Sequence, residues 1–389
     1  MRELREVREV RELRELREVR EVREAQKKKV FRMSILAIAL LAFKLITIHF
    51  AQLYPVIVEK IYSRGVYPVI RGVLTSVENS FPFSIGEILF ICMVLGLLYL
   101  FIRLIIHLIK RDFEALLKRS LMLLVSIMIA LCFFDLSWLL NNYRPDFEDL
   151  AHLTVVKTDK EVLANTLQAL IEKANTLREE LSENEENLPN DLSLKQILDT
   201  AYLGYTPLSQ QYPFFHDKVV RVKGLLVSPI QTWSGYTGVY LFFIGEPTVN
   251  SMAPLFTIPH TACHEIAHQQ GFAQEEAANY IGFLACKNHP SQLFQYSGYL
   301  SAIAYVANAL YLVDADLYHE KAKLYSTKVI SDLRYDAKFW DENEKKTTAK
   351  VVNDLNDSYL KSYNQVEGIK SYGKYVDLLI ADFLQDGSI

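Results

Sequence analysis

Cysteine is scarce. There are four in 389 residues: Cys92 and Cys132 in apolar runs, Cys263 and Cys286 near one motif. Four scattered thiols exclude a disulfide framework. Cys263 and Cys286 read as small buried thiols in preference to a pair. A basic excess is also missing. The net charge is −4, which argues against nucleic acid as a partner. Apolar residues, by contrast, are plentiful. Half of the chain is hydrophobic, with 22 Tyr and 21 Phe, so the composition is not that of a disordered protein.

The first residues lack an apolar core and are no signal peptide. They repeat Arg-Glu-Leu or Arg-Glu-Val from Arg2 to Glu24. A period of three drifts around a 3.6-residue helix, so the apolar stripe spirals instead of forming a face. Two readings stand: an exposed helix laced with ion pairs, or translated repetitive DNA upstream of the true start. No function attaches to either.

Long apolar runs follow. Ile35 to Tyr54, Ile88 to Ile109 and Leu121 to Leu140 are each about long enough for a transmembrane helix. Lys44 is the one charge inside the first and is expected to snorkel or to pair with a neighbouring helix. Basic residues precede the first span (Lys27, Lys28, Lys29, Arg32) and separate the second from the third (Lys110, Arg111, Lys118, Arg119). They place both segments in the cytoplasm. The loop from Pro55 to Gly86, and everything after about Asn141, are then outside.

The expected organisation is a charged repeat (1–30), a three-helix membrane region (31–140) and an extracytoplasmic domain (141–389). In that domain Leu163, Leu167, Leu170, Ala174, Leu177 and Leu181 form one helical seam that docks onto the rest. Residues 218–244 read as two or three short strands with Gly turns, and Gly245 to Asn250 as a turn-rich loop. Ser297 to Val313 reads as a buried helix in preference to a fourth span. The charged remainder is helical by pattern, and Asn356 to Lys361 and Gly368 to Gly373 mark helix ends.

The chemistry concentrates at His264-Glu265-Ile266-Ala267-His268. Residues four apart share a helix face, so His264 and His268 can hold one Zn²⁺. Glu265 lies about 100° away on the helix, beside the metal, where a general base belongs. A catalytic zinc needs a third protein ligand. Gly271 is a helix stop, and Glu275 and Glu276 open the next amphipathic run. Glu275 is preferred and Glu276 is the fallback. The metzincin pattern fails because position 274 is Gln. His260, one turn before His264, and Asn279 are candidates for supporting a ligand through a hydrogen bond. Tyr236 and Tyr240 read as packing residues first and oxyanion stabilisers second.

Glu275 with Ala278 and Asn279 looks like the E-x-x-A-D of membrane-bound HExxH peptidases, in which that Glu is the third ligand, as in gluzincins. More broadly the chain resembles the bacterial membrane family of domain of unknown function 3810. The resemblance runs through Phe81 to Glu87, Asn142 to Pro145, Gly245 to Asn250, Thr261 to Cys286, Tyr296 to Leu300, Asn356 to Lys361 and Ser371 to Gly373. It departs at Ala277, where an acidic residue is usual. It implies a multi-pass protein of the bacterial cell membrane with an α+β zincin-like domain and a zinc cofactor. The expected activity is endopeptidase hydrolysis of a peptide or protein substrate outside the cytoplasm. His264, His268 and Glu275 would be the metal ligands and Glu265 the catalytic base. The alternative is an inactive peptidase-like envelope protein that binds peptides or a partner protein.

Overall fold

The computed structural model describes residues 2–155, 159–362 and 372–386. Among the described residues the chain is mainly helical with one small sheet. It divides into two compact units, Met1–Phe50 with Phe90–Asp135, and Ala51–Leu89 with Leu136–Ile389. The first part of the chain supplies helices α1 (Arg2–Leu53), α2 (Tyr67–Glu78), α3 (Ile85–Ile109) and α4 (Phe113–Ser137).

Among the described residues, three helices are long and apolar enough to cross a membrane: Glu24–Leu53 within α1, α3 itself, and Ala115–Ser137 within α4. Helix α1 runs unbroken from the triplet repeat into the first apolar run. Exposed pairs Arg17–Glu21 and Arg20–Glu24 join successive turns of the repeat. Within the first unit Lys44 pairs with Asp135, Nζ to Oδ1 at 2.6 Å. Each charge thereby finds the partner that an apolar surrounding demands.

In the second unit the segment between the first two spans is helical. Short helix Pro55–Ile57, wide π-type turns over Val58–Val66 and α2 follow one another. Helix α5 (Lys160–Glu180) starts at Asp159, whose side chain accepts from the Val162 amide. Its leucine seam is buried.

The sheet corrects the sequence reading. Its order is β1–β3–β2, with β1 (Lys223–Gly224) parallel and β2 (Gly238–Leu241) antiparallel to a central β3 (Glu246–Val249). The expected turn-rich loop is therefore the central strand, and Ser228–Ser234, expected among the strands, is a short helix with Pro near its start. The polar residues that suggested a loop are buried and satisfied. Thr248 Oγ1 donates to the Val239 carbonyl at 2.6 Å, and Asn250 Nδ2 donates to Thr232 Oγ1 at 2.8 Å. Glu246 accepts from Ser84 Oγ at 2.5 Å and from the Gly86 amide at 3.0 Å, at the first turn of α3.

Helices α6 (Ile258–Gln269), α7 (Glu275–Lys287) and α8 (Gln292–Val313) pack together behind this sheet. Leu293, Phe294, Tyr296, Leu300 and Ile303 of α8 are buried in the unit's core, and α8 packs on α5. It is a core helix and is not among the three membrane candidates. Helices α9 (Thr327–Asn343), α10 (Lys346–Ser362) and α11 (Tyr372–Asp386) follow. Asn356–Lys361 are the last turns of α10, while Gly368–Ser371 lie outside the described residues.

Candidate metal centre

Helix α6 carries the motif and begins at Ile258, with Pro259 in its first turn. Proline fits this first turn, where its missing N–H costs nothing. His260 is therefore helical and shares the face of His264. Gly271, at φ +89°, ends α6. Its amide bonds the His268 carbonyl at 2.8 Å and the Phe272 amide bonds the Ala267 carbonyl at 3.2 Å, the paired bonds of a glycine C-cap.

This turn does more than stop the helix. It brings the Phe272 carbonyl to 2.8 Å from His268 Nδ1. With Nδ1–H donating there, Nε2 carries the free lone pair. The chain then re-enters helix at Glu275, the first residue of α7. Glu275 Oε2 lies 3.4 Å from His264 Nε2 and 3.8 Å from His268 Nε2. One donor atom from each of these three residues falls within 4.8 Å of the others, a group that can hold a metal ion.

The cluster is partly buried, His268 most and Glu275 least, and its charges act strongly on one another. Burial pushes His264 down, although Glu275 and Asn279 oppose it. Burial would lower His268 as well, but Glu275 and Glu265 outweigh it and lift the imidazole to about 9. Burial alone would raise Glu275, yet the two histidines hold its carboxyl well below the usual range. Glu265 is lifted to about 8, first by burial and then by Glu275, against the pull of His268. Its Oε2 has no hydrogen-bond partner among the described residues.

The other sequence candidates separate. Asn279 is buried and its side chain interacts with His264. His260 is buried, with Nε2 3.3 Å from the Asn279 carbonyl, and burial drives it down to about 3. It stands outside the metal-capable group. Glu276 turns away, with Oε1 3.9 Å from Lys374 Nζ. Tyr240 is buried, its hydroxyl 3.2 Å from that of Tyr67, and its ring packs 4.9 Å from Trp138. Tyr236 stays partly exposed, its carbonyl accepting from Asn250. Cys263 and Cys286 are both free and buried.

Several residues that hold the site were not legible as such in the sequence. Tyr67 donates to the Gln269 carbonyl at 3.1 Å and Arg71 to Gln270 Oε1 at 3.0 Å. Arg144 donates to the Gly271 carbonyl at 2.8 Å, lies 4.0 Å over the Phe272 ring, and pairs with Glu59 at 2.8 Å. These donors and cations complete the carbonyl-rich C-terminal end of α6. The spacing of Tyr67, Arg71 and Glu78, four then seven residues, was the available signal that they share one inward face. Gly238 was also missed: β2 passes so close that a Cβ there would lie 2.5 Å from Glu265 Oε1.

Three candidate membrane-spanning helices, in a chain whose folded unit carries a partly buried His/Glu cluster, define a helical membrane protein. Residues 62–380 match the family described as protein of unknown function (DUF3810), and the chain belongs to that family. Neither the curated proteins nor the solved structures contain a match to it.

Proposed function

We propose that the protein is a membrane-anchored, zinc-dependent endopeptidase of zincin type, working outside the cytoplasm of a bacterial cell. One observation carries the reading. Glu275 Oε2 sits 3.4 and 3.8 Å from two imidazole Nε2 atoms. Those separations exceed a good N–H···O hydrogen bond. Ligands bound at ~2.0–2.1 Å to a tetrahedral zinc stand about 3.4 Å apart. Two imidazoles and one carboxylate are the same donor types that hold zinc in some catalytic sites, which supports the reading.

His264, His268 and Glu275 would hold the ion, and the Phe272 carbonyl and Asn279 would keep the imidazoles oriented. Zinc supplies Lewis acidity for amide hydrolysis when bound. A cation held by the three ligands would draw the Glu265 carboxyl down from its metal-free value of about 8, and as carboxylate Glu265 takes a proton from the attacking water and passes it to the leaving amine nitrogen. Strand β2 is an edge strand of the described sheet, and its Gly238 backbone borders Glu265. An extended peptide pairing with that edge would run beside the carboxylate, which favours cleavage within a chain. The basic residues flanking the spans support an extracytoplasmic site.

The test uses detergent-purified full-length protein, metal analysis and a peptide library. Stoichiometric zinc in both the parent and Glu265→Gln, with hydrolysis lost only in the variant, is the expected result. Absence of zinc, or undiminished hydrolysis by Glu265→Gln, sinks the reading. If neither the parent nor the variant hydrolyses the library, a peptide-binding role remains.

A further inference from the structure

Helix α2 is inverted with respect to an ordinary surface helix. From Val66 to Ser80 the two charged residues, Arg71 and Glu78, point inward and are 4% and 0% exposed. The outward stripe is apolar: Val66, Val69, Val73 and Val77, with Val69 and Val73 67% and 62% exposed. Positions 66, 69, 73 and 77 are spaced three, four and four, a single helical face. Ser76 and Ser80 share that side and are exposed, but neither hydroxyl needs water. Ser76 Oγ donates to the Val73 carbonyl at 2.7 Å and Ser80 Oγ to the Ser76 carbonyl at 3.0 Å. A face of valines and self-satisfied serines suits an environment that offers no hydrogen bonds.

The chain on either side says what that environment is. Exposed Phe81 and Phe83 follow α2, and α3, a candidate membrane span, opens at Ile85. Two residues of chain reach no further than about 7 Å. On the other side Pro55 lies two residues beyond Leu53, the end of another candidate span. The segment from Pro55 to Ser84 is thus bounded by a candidate span at each end, and α2 lies inside it, 14 residues beyond Leu53 and seven before Ile85, which keeps it near the membrane.

We propose that the outer face of α2, continued by Phe81 and Phe83, lies in the bilayer interface as an in-plane helix, with lipid as its occupant. Interfacial helices bury an apolar face at the boundary between headgroups and acyl chains. Here the opposite face is not left to water. Tyr67 and Arg71 spend it on Gln269 and Gln270 at the end of the motif helix. The lipid-facing element is thus also the element that braces the His/Glu cluster.

The experiment is site-directed spin labelling of full-length protein in phosphatidylcholine–phosphatidylglycerol vesicles. The background is Cys92→Ser, since Cys92 is the exposed thiol, and the unmodified background gives the baseline. Labels go on Val69→Cys and Val73→Cys, with Lys338→Cys on an exposed charged helix face as the aqueous control. The expected result is a collision rate with dissolved oxygen several-fold above that with a water-soluble nickel chelate at 69 and 73, and the reverse order at 338. Nickel preference at 69 and 73 overturns the proposal in favour of a water-facing helix. Shielding from both reagents overturns it too, and label–label broadening would then identify a second copy as the cover. Labelling reads position whether or not the chain binds zinc or cleaves peptides, so this result stands apart from the enzymatic reading.

Discussion

The alpha carbon of Gly238 and the carboxylate of Glu265 approach so closely that any side chain at 238 would collide with the acid. A Cβ would meet Oε1 at 2.5 Å, Thr261 Cγ2 at 2.7 Å and the Thr248 carbonyl at 2.9 Å. Gly238→Ala must displace Glu265 or the strand. On the proposed reading zinc content should be unchanged, because the atoms nearest a Cβ at 238 belong to Glu265, Thr261 and Thr248 and not to His264, His268 or Glu275. Peptide hydrolysis should fall at least about tenfold, mostly in kcat, since a misplaced base loses part of its contribution. An Ala variant with full kcat would show that Glu265 does not act from this position.

The two adjacent acids make a direct comparison. Glu275→Ala removes the carboxylate that faces both histidines and should lower zinc content well below one equivalent after dialysis. Glu276→Ala should leave it intact, because Glu276 faces Lys374. Metal analysis of the two variants side by side decides between the alternatives that the sequence left open.

Arg144 and Glu59 form a buried pair beneath the Gly271 turn. Burial lowers the Arg144 guanidinium to about 10, with Glu59 opposing the shift, so it remains charged at neutral pH. Arg144→Met leaves the Gly271 carbonyl without this donor and strips Glu59 of one of its two arginine partners. A loss of about 3 kcal/mol is expected, read as a lower melting temperature in detergent. Arg144→Met combined with Glu59→Leu should cost less than the two single changes added together.

Glu78 gives the stability a pH dependence of definite sign. Burial lifts its carboxyl from 4.5 to about 8, with Lys223 and Arg221 opposing and Glu246 adding to the rise. Its Oε2 lies 3.4 Å from Lys223 Nζ. The folded chain therefore keeps a proton that the unfolded chain has lost between those two values. This contribution to stability is full below pH 4.5 and is lost as pH rises through about 8. Glu78→Gln should flatten the decline in melting temperature between pH 5 and 9, by an amount on the order of a few kcal/mol. Parallel curves for the two proteins would refute the assignment.

Periodicity made the larger elements legible. The three apolar runs, the leucine seam of α5 and the motif helix could be read because each has one repeating physical requirement. Lys44 also announced its need for a partner, which is Asp135. The sheet was less legible. Glu246, Thr248 and Asn250 look like loop residues until Ser84, Val239 and Thr232 are brought to them. The supports of the cluster were hidden for a similar reason. Tyr67 and Arg71 act on residues about 200 positions away, a separation that no local pattern records.

The Glu246 carboxylate bonds the first turn of α3, and this sets an order of events during synthesis. When α3 first emerges from the ribosome, its opening amides lack the acid that will cap them. At typical elongation rates the roughly 160 intervening residues take about 10–30 s to make. For that interval the first turn of α3 must find other partners, and the arrival of Glu246 then supplies them while completing the sheet. Truncated chains ending before and after residue 246 should accordingly differ in the protection of the Gly86 amide from hydrogen exchange.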